Sequence, residues 1–165
     1  MEVQGSSLYS AYGLEVVGKQ ARYQVVDSSM CGLCGLEEES CCHLFFDYNF
    51  ARRVWGLCHR WLGVLVMSQI EPKSNFDQFR MNRALETVNN VWNTIWVGVV
   101  SKIWSHMNNI IFKRGVGDAF GVFSLVQVKV WLWVSINCRS ASFSFSDWCL
   151  EPLVCMRLIT WVWYV

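Results

Sequence analysis

Apolar positions recur at helical spacing along most of the chain. Ala51, Val54, Trp55, Cys58, Trp61, Leu62 and Leu65 form one stripe, with Arg52, Arg53, His59 and Arg60 off it. Asn49 can cap this segment, because its side-chain oxygen can accept a free N–H of the first turn. Gly63 is placed to stop or bend it. Ser68 to Asp77, with Pro72 and Lys73-Ser74-Asn75, reads as a linker. The strongest helical pattern runs from Gln78 to Lys113. There Trp92, Trp96, Val99, Ile103, Met107 and Ile110 make an apolar stripe, and Thr94, Ser101, Ser105 and Asn108 a polar one. Such a stripe reads as a core face rather than a cofactor pocket. Gly115 and Gly117 end the run.

Asp118 can cap the next segment, Ala119 to Ile136, where the period is ambiguous. Val126-Gln127-Val128-Lys129-Val130 alternates like a strand, but the length and the lack of an internal breaker favour a helix. The same stretch is the best candidate for a membrane span. Lys129 opposes that, since a central lysine costs roughly 2.5–3.5 kcal/mol on insertion. Asn137 to Asp147 reads as a Ser-rich loop, and Trp148 to Val165 as an apolar tail that Pro152 interrupts. Before Asp27 the pattern is weak, and Ser6 to Val26 reads as loop or marginal helix. The organisation expected is an N-terminal segment over 1–26, a knuckle with its following helix over 27–66, and a linker over 67–80. A long helical region over 81–137 and a Ser/aromatic-rich tail over 138–165 complete it. The fold class is mostly α: a short zinc-knuckle-like loop followed by amphipathic helices.

Candidate chemistry is concentrated ahead of the first stripe. Cys31-Gly32-Leu33-Cys34 lets two thiolates converge from a tight turn, and His43 follows nine residues after Cys34. Structural zinc takes four tetrahedral ligands from Cys and His, and Cys31, Cys34 and His43 supply three. A fourth is open among Cys41, Cys42, Asp47, Cys58 and His59, with Cys41 and Cys42 close enough to His43 to strain the loop. The alternative is a pair of reduced thiols in a loop beside an apolar segment. A redox role for the Cys-x-x-Cys pair would need a thioredoxin-like βαβ context, which the pattern lacks.

The order of these residues resembles a known family. Cys31-x-x-Cys34, Glu37 to Glu39, His43-Leu44-Phe45-Phe46, Ala51-Arg52-Arg53-Val54-Trp55 and Trp61-Leu62-Gly63 are similar to the zinc-binding domain that follows the reverse transcriptase in plant non-LTR (LINE-type) retroelements. Ile103-Trp104-Ser105-His106, Trp131-Leu132-Trp133 and the stretch from Phe143 to Cys155 resemble the downstream tail of such elements. The likeness covers roughly residues 25 to 156. It implies a non-catalytic, zinc-binding accessory module whose relatives contact nucleic acid. The family's fourth ligand, a cysteine, falls at Tyr48. The helices that precede the knuckle in the family are missing or degenerate in Met1 to Met30, and Leu158 to Val165 matches no part of it. The resemblance is therefore to a truncated, degenerate copy.

Composition narrows the remaining choices. The chain has 165 residues, 53% of them hydrophobic and only 16% charged, with ten tryptophans; a typical domain is about 25% charged. So apolar a chain must bury its surface against itself, a partner or a membrane. A net charge of +1 gives little electrostatic footprint for nucleic acid. Arg52-Arg53, Arg60 and Lys113-Arg114 read first as solvated helix faces. Met1 to Ser6 has neither a basic start nor an apolar core. The eight cysteines are therefore expected as reduced thiols or metal ligands of an intracellular product. No aromatic-x-Asp-Asp strand, phosphate-cradling Gly-rich loop or Gly-x-Ser-x-Gly elbow is present, so no enzyme activity is expected. Cys58 and His59 are neighbours on a helix and do not face each other. Three functions compete: a zinc-binding module with weak nucleic-acid contact, an inactive retroelement remnant, and a small Trp-rich membrane-associated protein.

Overall fold

The computed structural model describes residues 30–64, 72–79, 86–113, 115–138 and 142–161. The expected N-terminal segment over 1–26 lies outside them. The described chain is mostly helical, as the periodicity predicts. A knuckle over residues 30–39 leads into a π-helical turn, His43–Asp47. Among the described residues six helices follow: α1 (Asn49–Leu62), α2 (Pro72–Phe79), α3 (Glu86–Lys113), α4 (Ala119–Asn137), α5 (Phe145–Leu150) and α6 (Pro152–Trp161).

The core forms where α1, α3, α4 and α6 pack together, with α2 on α3 and α5 between α4 and α6. On α1 the buried positions are Phe50, Ala51, Val54, Trp55, Cys58 and Leu62, while Arg52, Arg53 and Arg60 are exposed. Over the described residues that is the expected stripe, with Trp61 half-buried at its edge; Leu65 lies outside them. On α3, Trp92, Trp96, Val99, Ile103 and Met107 are buried, and so are Val91, Ile95 and Val100. The face is wider than one stripe because α1, α2, α4 and α6 surround this helix. Each such side chain contributes about 1.5–3 kcal/mol on full burial.

The ambiguous segment is a helix. Val122, Val126, Val130 and Val134 are buried at every fourth residue, and Val128, which a strand would place with Val126 and Val130, is exposed. α3 and α4 come close at Gly98, where a Cβ would stand 3.5 Å from Val130 and 3.7 Å from Val126. Asp118 caps α4 as expected, its carboxylate accepting the Gly121 N–H at 2.9 Å. Among the described residues, α4 is the one helix long and apolar enough to cross a membrane. Its inner face is nonetheless occupied by the core, and Lys129 Nζ donates to Ser101 Oγ at 3.4 Å.

Several local expectations are corrected. Residues 72–79, expected within the linker over 67–80, form α2. Its polar sequence hides a docking face: Phe76 packs edge-on against Trp96, and buried Asn75 accepts the Trp96 indole N–H at 2.9 Å. Asn49 is not a cap. It is the first residue of α1, and Tyr48 at the cap makes no side-chain hydrogen bond. Gly63 does end α1, at φ 61°, in the left-handed region that glycine adopts at little cost. Pro152 starts α6 instead of interrupting a tail, because proline's missing N–H is unneeded in a first turn. The described residues of the tail over 138–165 thus contain two packed helices. Trp148 is fully buried, gives its indole N–H to the Gln127 carbonyl, and through its own carbonyl accepts that of Trp61.

Candidate metal centre

Short-range hydrogen bonds set the shape of the knuckle. The Cys31 N–H donates to the Glu37 carbonyl at 2.7 Å, and Met30 and Glu38 form an antiparallel bridge. Inside this closure the Gly35 N–H returns to the Cys31 carbonyl at 2.8 Å, with Gly35 at φ 64°. A side chain at position 35 would be strained there; Gly32 has no such requirement, so only the second of the two glycines is demanded by the turn. The turn aims the Leu36 N–H at Cys34 Sγ, 3.5 Å away. Gly32 N–H reaches the Glu39 carboxylate at 3.3 Å.

His43 arrives on a different piece of local structure. Ser40 Oγ accepts the His43 N–H at 3.0 Å, in the manner of an N-cap, and starts the turn that begins at Cys41. The chain then widens to i→i+5 bonding, with the Tyr48 N–H on the His43 carbonyl. Such π turns accommodate a residue that an α-helix would expel. Here the turn allows His43, Leu44, Phe45 and Phe46 all to be buried. It is clamped from outside: the Trp55 indole N–H donates to the Phe45 carbonyl at 2.8 Å, Phe46 stacks on Trp55, and Phe45 packs against Trp104. The imidazole is thus positioned by α1 and α3 as well as by its own loop.

The three sequence-predicted residues converge. The sulfurs of Cys31 and Cys34 and a ring nitrogen of His43 lie within 4.8 Å of one another. Cys34 Sγ is 3.4 Å from His43 Nε2. Cys31 is 1% exposed and His43 6%, with Cys34 half-buried at the outer edge. These three residues can hold a metal ion. The other nitrogen, Nδ1, has Glu37 Oε2 at 2.9 Å, an ion-pair distance, although the contact is not aligned as a hydrogen bond. A ligating histidine commonly donates its second ring N–H to a carboxylate, and Glu37 is close enough to take that place. Glu37 was not singled out by the sequence pattern, where it is one of three consecutive glutamates. The usable signal was the need of His43 for a partner on its far nitrogen.

Local electrostatics favour a thiolate at Cys34. Its pKa is lowered to about 7, chiefly by the Leu36 N–H, and further by the Glu37 N–H, Cys31 and His43, against the opposing effect of desolvation. Burial pushes the Cys31 thiol up, partly offset by the Cys34 and Leu33 N–H groups. Burial also raises the Tyr48 phenol, and the charges of Cys31 and Cys34 raise it further. The Tyr48 ring meets the His43 ring edge-on, with centroids 6.1 Å apart. Tyr48 thus lies beside the group, as a neutral phenol.

The other candidates do not join. None of Cys41, Cys42, Asp47, Cys58 and His59 reaches all three ligand atoms within the same span. Cys58 is buried in the α1 core, where desolvation pushes its thiol up to about 12. The His59 ring stacks on Trp55, and burial lowers its pKa. His106 is structural: its Nε2 accepts the Asp118 N–H at 3.2 Å, and its ring stacks on Phe50.

The chain matches no family model, no curated protein and no solved structure.

Proposed function

We propose that the chain is a non-catalytic, zinc-binding helical module of the kind its resemblance implies, an accessory domain of retroelement reverse transcriptases that makes weak contact with nucleic acid. The observation that carries this reading is the convergence of Cys31, Cys34 and His43 within 4.8 Å. Zinc bonds of about 2.1–2.3 Å place tetrahedral ligands about 3.7 Å apart, so the three side chains need to move by about an ångström at most. Two thiolates and an imidazole are the donor set that favours zinc over the hard cations.

Zinc, when bound, would tie the knuckle to the π turn. The chain's own residues do the rest. Glu37 would orient the imidazole, the Leu36 N–H favours the thiolate form of Cys34, and the Phe45, Phe46 and Trp55 cluster would transmit the pinned geometry to α1. Arg52, Arg53 and Arg60 are exposed along α1 and offer phosphate contacts that salt would screen readily. With a net charge of +1, such contacts are few and the binding weak.

The test is a thermal melt with one equivalent of zinc and with chelator, beside filter binding to single-stranded and duplex nucleic acid at low and moderate salt. The reading predicts a higher melting temperature with zinc and salt-sensitive binding that Arg52→Ala and Arg53→Ala weaken. Equal melts with zinc and chelator would favour the inactive-remnant alternative.

One observation favours a second reading, membrane association. The outer face of α4 exposes Phe120, Leu125, Val128, Leu132 and Ile136. Co-sedimentation with neutral lipid vesicles that Leu132→Glu abolishes would support it, and protein remaining in the supernatant would end it.

A further inference from the structure

The group of Cys31, Cys34 and His43 is three-sided. All eight cysteines and all three histidines of the chain lie among the described residues, and no further Cys, His, Asp or Glu of those residues joins the group. Tyr48 lies beside it, with its ring edge-on against His43. A neutral phenol is a poor donor to zinc, which draws its protein ligands from thiolates, imidazoles and carboxylates. Sites with three protein ligands complete the tetrahedron with an exchangeable molecule.

The position of the gap is also legible. Cys31 and His43 are buried, whereas Gly32, Gly35, Leu36 and Glu37 are exposed and Cys34 is half-buried. Cys34 and the exposed knuckle residues around it thus mark the side on which the group comes nearest to solvent. Charge decides what fits there. Two thiolates cancel the charge of a divalent ion, and the exposed carboxylates of Glu37, Glu38 and Glu39 flank the loop. A fourth ligand that brought another negative charge would meet their repulsion.

We infer that the metal bound by Cys31, Cys34 and His43 has an open fourth position on the solvent side of the knuckle, held by water and exchangeable for a neutral nitrogen donor. This rests on the metal-binding reading of the same three residues, and the test separates the two. Cobalt(II) replaces zinc as a spectroscopic probe, and the full chain loaded with cobalt is titrated with imidazole and, separately, with azide. A thiolate-to-cobalt charge-transfer band reports the metal site itself. The visible d–d bands report the fourth position.

The expected result is a charge-transfer band of constant intensity with a saturable shift of the d–d bands on adding imidazole, and no shift with azide at the same concentration. Tyr48→Phe is expected to keep both the starting spectrum and the imidazole response. A charge-transfer band with d–d bands that imidazole leaves unmoved would show the position already filled and overturn the inference while the metal site stands. A changed starting spectrum in Tyr48→Phe would make the phenol the fourth ligand and likewise overturn it. An azide shift as large as that of imidazole would contradict the neutral-donor assignment. Absence of the charge-transfer band would remove the metal site and the inference together.

Discussion

The carboxylate of Glu37 stands 2.9 Å from Nδ1 of His43, while Nε2 of the same ring stands 3.4 Å from the sulfur of Cys34. One imidazole thus spans from a thiol to a carboxylate. With a metal at Nε2, the proton would belong on Nδ1, facing Glu37, and the carboxylate would help to hold the ring in place. Loss of such a partner typically lowers metal affinity 10–100-fold. Because Glu37 is well exposed, Glu37→Gln is expected at the lower end, about tenfold. Glu38→Gln, one residue away and without this contact, is expected to bind as the parent does. Competition against a chromophoric chelator measures both. Equal losses in the two variants would reduce the effect to general charge.

The close approach of α3 and α4 at Gly98 predicts a stabilising substitution. An added Cβ would meet Val130 and Val126 at 3.5 and 3.7 Å, ordinary van der Waals contacts. Alanine is favoured over glycine in a helix interior by about 0.8–1 kcal/mol. Gly98→Ala is therefore expected to raise stability to denaturant by up to about 1 kcal/mol. Gly98→Leu is expected to lower it by forcing the helices apart. A destabilised Gly98→Ala would contradict the packing described between these two helices.

The start of α5 carries a pH-dependent element. Ser144 and Asp147 form a reciprocal capping box, with Ser144 Oγ accepting the Asp147 N–H at 3.1 Å and Asp147 accepting the Ser144 N–H at 2.9 Å. The Ser144 hydroxyl, then its N–H, holds the Asp147 carboxyl below its usual value of 3.8. A depressed carboxyl contributes stability that is complete above the unfolded-state pKa and is lost as pH falls through the folded value. The capping contribution is therefore present at neutral pH and lost below about pH 4. Ser144→Ala is expected to cost about 1 kcal/mol at pH 7 and to raise the Asp147 pKa toward 3.8. Carboxyl NMR titration of the two proteins checks the shift, and an unchanged Asp147 would contradict the box.

How much of this was legible in the sequence depended on the range of the interactions. Cys31, Cys34 and His43 could be read because a thirteen-residue loop leaves little freedom in how they meet. The stripes of α1 and α3 were clear because periodicity reports one buried face. Glu37 was not, since nothing local distinguishes it from Glu38 and Glu39, and only the approach of His43 selects it. Asn75 was hidden for the opposite reason. Lys73-Ser74-Asn75 is locally polar, and its burial follows from the indole of Trp96, 21 residues further on. Pro152 read as a breaker, although the same missing N–H suits the first turn of α6. The fourth-ligand candidates failed for different reasons: Cys58 lies on the α1 stripe that the helical core buries, and His59, off that stripe, is taken up by its stacking on Trp55.

The most direct test of the central claim is the zinc content of the intact protein, purified without chelator and weighed by native mass spectrometry, beside a Cys31→Ser, Cys34→Ser double variant. The account predicts one zinc per chain in the parent and none in the variant. No zinc in either protein, or equal zinc in both, would contradict it.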